Sequence, residues 1–166
     1  MAGAAALRDY RESDADALNR VALAAFEQFR GDYDDWPAMA RAVSGMSGLS
    51  GLGEIVVADD GARVVGGVAY MPPGAAKAAY FDRSWPVIRM LVVDPAARGR
   101  GIGRALTEEC IRRARRDGSR VIALHTTAIM TVALPMYLRL GFKLSHDAPS
   151  IHGVPYAVYT MTLPET

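Results

Sequence analysis

The sequence predicts a single α/β domain, residues 1–166, in which helices cover a partly antiparallel sheet. The chain has 166 residues, 51% of them hydrophobic, which is enough for one substantial core. Short β-branched runs and longer helix-like stretches follow in the order strand, two helices, three strands, helix, strand, helix, two strands. An Asp-Gly turn joins two of the strands and makes that pair antiparallel. Such a mixed order favours helices packed on a mixed sheet.

The first half of the chain contains two helix caps and one hairpin turn. Ser13-Asp14-Ala15-Asp16 and Asp34-Asp35 precede stretches of helical periodicity, and short polar side chains of this kind cap helix N-termini. Asp59-Asp60-Gly61 separates two β-branched runs, as in a tight hairpin. Residues 44–53 are small and flexible, and we expect a mobile connector there. The predicted elements are a strand over 5–10, helices over 14–29 and 35–43, and strands over 54–58 and 63–70.

Two features between the hairpin and the middle of the chain bear on binding. Gly66-Gly67, inside the second hairpin strand, indicates a bulge or a close approach by another backbone. Residues 71–86 form an irregular stretch that contains Tyr80, Phe81 and Trp85. An aromatic-rich loop either covers a substrate pocket or packs its rings on the core.

The stretch from Val87 to Gly103 predicts a strand, a sharp turn and the start of a helix. Asp94-Pro95 stops the β-branched run, and Arg98-Gly99-Arg100-Gly101-Ile102-Gly103 then opens the helix. Glycines let a ligand approach the backbone, and the free N–H groups of a helix start favour a phosphate. No lysine follows these glycines, which excludes a P-loop. Because they alternate singly, the dinucleotide motif Gly-x-Gly-x-x-Gly is excluded as well.

The motif Arg-x-x-Gly-x-Gly at 98–103, preceded by Val93-Asp94-Pro95, resembles the coenzyme A-binding signature of the Gcn5-related N-acetyltransferases, the GNAT superfamily. Without that resemblance the glycines would be an ordinary strand-to-helix turn. The resemblance runs from about Leu7 to Leu163 and implies the GNAT fold, with a mixed, largely antiparallel central sheet flanked by helices. In that fold, parallel strands ending near Val93 and Thr126 splay apart and grip acetyl-CoA, the implied cosubstrate. The implied cofactor-binding residues are Leu91, Val92, Val93, Arg98, Gly99, Arg100, Gly101, Ile102, Gly103 and Arg104.

The helix that follows the glycine turn is predicted over residues 101–117. Ile102, Leu106, Cys110 and Ala114 fall on one side at helical spacing, so Cys110 is interpreted as core rather than as a nucleophile. Gly118 ends this helix. The remaining predicted elements are a strand over 120–126, a helix over 129–140 ended by Gly141, and strands over 142–145 and 154–163.

Residues 137–142, Tyr-Leu-Arg-Leu-Gly-Phe, are similar to the GNAT segment Tyr-x-x-Leu-Gly-Phe, whose tyrosine faces the coenzyme A sulfur. The resemblance implies that Tyr137 protonates the departing thiolate, although by itself Tyr137 would be a core or groove tyrosine. Relatives often carry a pantetheine-binding asparagine seven residues earlier, where this chain has Met130. The candidate replacements are Thr126, Thr127 and Thr131.

The acceptor amine must lose a proton before it attacks, because a lysine-like amine titrates near 10.4. Many GNAT members supply a glutamate from the ligand strand for this purpose, but residues 87–93 contain none. His125, at the end of the next strand, is the nearest alternative base by analogy with the fold, and its other interpretation is a hydrogen-bonded structural histidine. Asp82, Glu54 or a water chain are the remaining candidates.

Composition and charge argue against several other classes of protein. The formal net charge is +1, which gives no global attraction to nucleic acid, although eight arginines crowd residues 98–120. We expect Glu108–Arg112 and Glu109–Arg113 to pair on a solvated helix face. The chain has no apolar run of membrane-spanning length and no basic start of a signal peptide. Its single cysteine excludes an internal disulfide and a cysteine-type metal cluster. We therefore expect a cytoplasmic protein without a metal.

The GNAT resemblance implies an N-acetyltransferase that moves an acetyl group from acetyl-CoA directly to a primary amine of a small molecule or peptide. Alignment of the two substrates and a backbone N–H near residues 91–93, stabilising the oxyanion, would supply most of the acceleration. One alternative is a catalytically weak acyl-CoA-binding regulatory module. A second is a nucleic-acid protein that uses the arginine-rich helix. Analogy with relatives also implies a homodimer.

Overall fold

The β-rich segments of the sequence pair into one mixed sheet in the computed structural model, which describes residues 4–165. The strands are β1 (Ala6–Asp9), β2 (Glu54–Asp59), β3 (Val64–Met71), β4 (Val87–Val93), β5 (Val121–Thr126), β6 (Lys143–Ile151) and β7 (Val154–Thr162). The α-helices are α1 (Ala15–Phe26), α2 (Trp36–Val43), α3 (Ile102–Arg116) and α4 (Ala133–Leu140). The strand order is β1-β2-β3-β4-β5-β7-β6, and only the β4–β5 pair is parallel. The predicted fold class is confirmed.

The sheet separates two apolar cores. Helices α1 and α2 cover one face, where Leu18 and Val43 are buried, and this region is called the α1–α2 core. Helices α3 and α4 cover the other face, where Leu106 and Tyr137 are buried, and this region is called the α3–α4 core. Strand β3 is buried along its whole length, because it lies between the two cores and contacts both.

Strands β4 and β5 touch at their beginnings and then diverge. Their register pairs Val87 with Ala123, and the N–H of Ala123 donates to the carbonyl of Pro86 at 3.0 Å. No further register pair joins the two strands, so the edge of β4 beyond Val87 faces a gap. This divergence is the splay that the GNAT resemblance implies.

A bulge in β4 changes which side chains face which core. The register between β3 and β4 shifts opposite Val68, and Met90 adopts the left-handed region with φ 58°. An extra residue at this point interrupts the two-residue alternation of the strand. As a result Met90 packs on the α1–α2 core, whereas Leu91 packs on the α3–α4 core.

The paired glycines of β3 allow both helical layers to approach closely. A Cβ atom on Gly67 would lie 2.6 Å from Cδ1 of Leu18 in α1. A Cβ atom on Gly66 would lie 3.0 Å from the carbonyl oxygen of Val92 and 3.1 Å from Cγ2 of Ile102. The predicted close approach and the predicted bulge therefore both occur here.

The prediction for the connecting segment 44–53 was wrong. Residues 44–53 contain a 3-10 helix, Met46–Gly51, rather than a mobile connector. Met46 and Leu49 are buried, and the Asn19 side chain exchanges hydrogen bonds of 2.9 and 2.8 Å with Ser47. Apolar anchors and this polar clamp fix the segment on α1.

The last helix and the last hairpin also differ from the prediction. Helix α4 begins at Ala133 instead of residue 129, because residues 127–132 form turns, and Pro135 lies in its first turn. Strand β6 continues to Ile151 instead of 145, because its pairing with β7 extends that far.

The charge pairs on α3 are only partly those expected. Glu109 pairs with Arg113 at 3.2 Å, as predicted. Glu108 instead pairs with Arg104 at 2.8 Å, and Arg112 also turns to Glu109. The two carboxylates of α3 thus pair with three of its five arginines, Arg104, Arg112 and Arg113. Within residues 4–165, no helix combines the length and the apolarity needed to cross a bilayer.

Candidate active site

The turn between β4 and α3 is fixed at its entry by Asp94. Its Oδ1 accepts a hydrogen bond from the N–H of Ala96 at 2.9 Å and caps a short 3-10 helix, Pro95–Ala97. Its Oδ2 accepts from Nη1 of Arg63, at 2.5 Å, in the β2–β3 hairpin. The ion pair with Arg63 is the main reason why the pKa of Asp94 lies below its usual value. The turn is thereby tied to the neighbouring hairpin.

The glycine segment itself is open. Gly99 and Gly101 have φ angles of 80° and 74°, a region that favours glycine, and a Cβ atom on either would meet nothing within 4 Å. Gly101 is the N-cap of α3 and has no side-chain cap. Within residues 4–165, the backbone N–H groups of 98–104 donate no hydrogen bond to the protein. Such a set of free donors at a helix start is suited to a phosphate.

The residues around this turn divide into anchors and exposed charges. Ile102 is buried, and a Cβ atom on Gly103 would touch Val93 and Leu91 at 3.7 and 3.8 Å, so the helix start rests on β4. Arg98 and Arg100 are exposed and make no ion pair in the described part of the chain. The remaining predicted residues are Arg104, which is paired with Glu108, and Val92, which is buried in the α1–α2 core.

Tyr137 lies in α4 with its ring in the α3–α4 core. It is 5% exposed and packs edge-on against Phe142, with ring centroids 5.8 Å apart. Its hydroxyl makes no hydrogen bond within residues 4–165, yet no fully buried side-chain oxygen or nitrogen there lacks a partner. The hydroxyl oxygen therefore keeps a small accessible surface. Burial raises the pKa of Tyr137, so the hydroxyl stays protonated at neutral pH.

Cys110, on the same side of the sheet, is inert. It is fully buried, and this burial raises the pKa of its thiol to about 12. Because the thiolate is the nucleophilic form, Cys110 has none of the properties of a catalytic cysteine.

A cavity of about 340 Å³ lies on the opposite face, beside the start of the β4–β5 splay. The irregular loop 71–86 forms one wall, so this loop does cover a pocket, while Phe81 is also packed into the core. The lining residues are Met71, Ala76, Lys77, Ala78, Tyr80, Phe81, Val87, Arg89 and His125.

His125 lies in an aromatic wall of this cavity. Its Nδ1 is 3.0 Å from the Tyr80 hydroxyl, and the Tyr80, Phe81 and Tyr156 ring centroids are 5.5, 5.9 and 5.2 Å from its own. Burial, and then the positive charge of Arg89, lower the pKa of His125 to about 4. The imidazole is therefore neutral at pH 7. Its Nε2 makes no hydrogen bond within residues 4–165 and is not fully buried, and His125 is one of the residues that line the cavity.

The other base candidates lie elsewhere. Glu54 binds Arg113 at 2.7 Å and Arg116 at 2.9 Å, so its carboxylate belongs to an ion-pair network. Asp82 is exposed, does not line the cavity and accepts a hydrogen bond from the Ser84 hydroxyl at 2.6 Å. Neither carboxylate is free beside the splay.

The threonines near Met130 also have defined places. The Thr126 hydroxyl donates to Sδ of Met130 at 3.5 Å, so it is engaged by the residue that it was to replace. Thr127 is buried and Thr131 is exposed. Among residues 4–165, no three His, Cys, Asp or Glu side chains are grouped so as to hold a metal ion.

The two predicted catalytic residues lie on opposite faces of the sheet. His125 packs against Tyr80, Phe81 and Tyr156 of the α1–α2 side, whereas Tyr137 belongs to the α3–α4 core. The β4–β5 divergence, where the two strands no longer pair, lies between these two sides. Arg89 lines the cavity, although it was not among the predicted site residues. The sequence feature that could have indicated this is its position two residues after Val87, on the same face of the strand.

Two comparisons with known sequences agree with this geometry. The model of the Acetyltransferase (GNAT) family matches residues 8–142. A mycothiol acetyltransferase of Nocardia farcinica is 42% identical over 67 residues, which is 39% of this chain and 22% of that protein. N-acetyltransferase 8F1 of Mus musculus is 36% identical over 87 residues, or 52% of this chain and 38% of that protein. The match thus spans well under half the length of either curated relative.

Solved structures show the same fold. The putative acetyltransferase yncA of Salmonella typhimurium, solved with its cofactor acetyl-CoA, has a TM-score of 0.72 at 19% identity, covering 99% of this chain and 96% of that one. PaiA N-acetyltransferase of Thermoplasma acidophilum, in complex with coenzyme A, has a TM-score of 0.75 at 16% identity, covering 96% and 99%. The family model covers most of the residues that form this sheet and both sides of the splay, and the chain belongs to the GNAT family of acetyltransferases.

Proposed function

We propose that the protein is an N-acetyltransferase that moves the acetyl group of acetyl-CoA directly to a primary amine of a small molecule or peptide. The observation that carries this proposal is the gap between β4 and β5 beside the open turn at the start of α3. Membership of the GNAT family supports the reaction class, and the cavity on the other face supports a separate acceptor site.

The diphosphate of acetyl-CoA would be held by the free N–H groups of residues 98–104, with Arg98 and Arg100 adding positive charge. The free edge of β4 at Leu91–Val93 would hold the pantetheine arm through backbone groups. Arg104 would join only by leaving Glu108, an exposed pair whose stabilisation is small.

The acceptor would enter from the opposite face and reach the thioester through the gap. A backbone N–H on β4 would stabilise the oxyanion, and holding both substrates in line would supply most of the acceleration. Tyr137, on the coenzyme side, would donate its hydroxyl proton toward the departing sulfur. This division explains why acid and base candidates lie on different faces.

His125 would accept the proton of the amine on the acceptor side. This requires the tautomer in which Nδ1–H donates to the Tyr80 hydroxyl, leaving Nε2 unprotonated toward the cavity. A pKa of about 4 makes His125 a weak base at neutral pH. The imidazole would therefore hold the proton only briefly and pass it to solvent in the open cavity.

Two parts of the proposal concern organisation. Residues 1–166 would work as a single domain, because both halves of the site belong to one continuous sheet. A homodimer is the assembly that resemblance to other GNAT members supports.

The proposal is tested by measuring acetyl-CoA affinity in Gly101→Glu with Gly118→Glu as a matched control. Both glycines have φ 74° and open space around a Cβ atom, and they flank opposite ends of α3, so backbone strain is the same. Only the carboxylate introduced at position 101 would lie where the diphosphate of acetyl-CoA binds, and its negative charge would repel the diphosphate. We expect Gly101→Glu to weaken acetyl-CoA binding by about 100-fold or more, through the loss of two or more charge-assisted hydrogen bonds.

Equal affinity of both variants in isothermal titration would contradict the cradle assignment. The regulatory alternative rests on the lack of a carboxylate in the cavity. Saturable acetyl-CoA binding without thiol release across a panel of amines would favour it over the enzyme.

A further inference from the structure

The cavity next to the splay carries positive charge and no negative charge. Val87 and Ala123 are register partners, and Arg89 and His125 each follow two residues later on the same face. The two side chains therefore stand next to each other where the strands begin to diverge. Arg89 and Lys77 are the charged residues of the lining, and no Asp or Glu belongs to it.

Arg89 is the charged group in this lining that can bind a ligand. Lys77 is already engaged, because its Nζ lies 2.9 Å from the carbonyl of Ala75, 3.1 Å from that of Pro72 and 3.3 Å from that of Arg83. These three hydrogen bonds hold the two ends of the loop 71–86 close together. Arg89 is exposed, and within residues 4–165 its guanidinium has no carboxylate partner and no hydrogen bond. Buried Arg113, by contrast, is paired on all sides.

Apolar and aromatic side chains form much of the remaining wall of the cavity. Tyr80, Phe81, Met71 and Val87 form its walls, and a volume of about 340 Å³ lies at the lower end of the range for small-molecule clefts. A polyamine or a lysine-rich peptide would bring further positive charge toward Arg89 and find no carboxylate to balance it. A guanidinium matches the geometry of a carboxylate or phosphonate.

We propose, on the basis of the acetyl-transfer function above, that the acceptor is a small primary amine that also carries an oxyanion. Arg89 binds the oxyanion, the apolar part packs on Tyr80 and Phe81, and the amine points to the gap beside His125. The class comprises amino acids and aminophosphonates with an apolar side group. Arg89 thus acts as the residue that determines acceptor specificity.

The experiment measures coenzyme A thiol release by the full chain at saturating acetyl-CoA. The acceptors are phenylalanine, its phosphonate analogue 1-amino-2-phenylethylphosphonate, its neutral amide, and spermidine. The variant is Arg89→Gln, and the control is Arg115→Gln, an exposed arginine on α3 outside the site. We expect kcat/KM of the wild type to be at least about tenfold higher for the oxyanion-bearing acceptors than for the amide. Comparing kcat/KM for phenylalanine and for its phosphonate analogue shows whether the site prefers a carboxylate or a phosphonate.

Arg89→Gln should lower kcat/KM for the oxyanion-bearing acceptors by about 10- to 100-fold relative to the amide, mainly through KM. Loss of the Arg89 charge also relieves the lowering of the His125 pKa, and that change acts on all acceptors alike. An equal loss with all acceptors would overturn the specificity role, since a structural defect has that effect. Preference for spermidine or the amide would overturn the inference while the acetyl-transfer function stands. Thiol release with none of the four, despite bound acetyl-CoA, would overturn this acceptor class. A wider amine panel without release would then overturn the enzyme function as well.

Discussion

Tyr137 has the surroundings of a proton donor but not those of a strong acid. Its hydroxyl has no protein partner in the described residues, and its ring is fixed against Phe142. Burial raises its pKa, which keeps the proton in place and at the same time weakens its transfer to a thiolate, since even an ordinary cysteine thiol titrates near 8.5. Hydrogen-bond donation to the developing sulfur charge is therefore the larger part of the expected effect.

Tyr137→Phe should lower kcat by about 100-fold, the lower end of the effect of general acids, because the acid is weak. The phenylalanine ring keeps the packing in the α3–α4 core, so stability and acetyl-CoA affinity should stay close to those of the wild type. Thiol-release kinetics and a coenzyme titration measure the two quantities. Unchanged kcat would remove Tyr137 from the chemistry, and a matching loss of affinity would make it a binding residue instead.

At the scale of elements, the glycine pair of β3 separates the stability of the fold from the shape of the coenzyme site. Gly67 faces Leu18, which is completely buried, whereas Gly66 faces the carbonyl of Val92 and the side chain of Ile102. The second pair of neighbours joins β4 to the start of α3. A methyl group at position 67 would press on α1, whereas one at position 66 would press on the junction of β4 and α3.

Gly67→Ala should lower the free energy of unfolding by about 1–3 kcal/mol, the usual cost of overpacking, with acetyl-CoA affinity unchanged. Gly66→Ala should displace β4 from α3 by a few tenths of an ångström and weaken acetyl-CoA binding severalfold. Urea denaturation and isothermal titration on both variants test this. Equal coenzyme affinity in the two would show that the β4–α3 junction tolerates the shift.

Local signals explain which elements could be predicted from the sequence. Asp35 does cap α2, accepting from the N–H of Ala38 at 3.0 Å, and Gly118 and Gly141 end their helices with positive φ. These signals act over three or four residues. The start of α4 could not be predicted, because apolar residues 129–132 fit a helix as well as the turns that they form. The length of β6 is set by β7, and its own sequence carries little alternation.

The same distinction applies to the site. The glycine turn and Tyr137 were visible because each belongs to a short motif. Arg89 and the aromatic wall around His125 depend on contacts between loop 71–86, β4 and β5, which are distant in sequence. The bulge at Met90, which reverses the alternation after it, is likewise a property of the β3–β4 pair. Distant pairings of this kind leave no local pattern.

Over the whole molecule, the sheet separates the proposed coenzyme side from the proposed acceptor side. The α3–α4 core carries the glycine turn and Tyr137, and the α1–α2 core carries the cavity and His125. The relative position of the layers therefore matters for function. Arg113 links one of these layers to the sheet: it leaves α3, binds Asp9 of β1 and Glu54 of β2 at 2.7 Å each, and binds Glu109 at 3.2 Å.

The stability of this link should depend on which partner is removed. In Arg113→Met, Glu54 keeps Arg116, Glu109 keeps Arg112, and Asp9 is largely exposed, so no charge is left buried alone. We expect the free energy of unfolding to fall by about 1–2 kcal/mol.

The double variant Glu54→Gln/Glu109→Gln leaves the Arg113 guanidinium, whose side chain is 9% exposed, with one exposed partner. Breaking a buried pair in this direction typically costs about 3–5 kcal/mol. Urea denaturation of both variants should show the larger loss in the carboxylate variant, because an unpaired buried charge costs more than an absent one. Equal losses would mean that water reaches Arg113 and that α3 is held on the sheet by apolar packing alone.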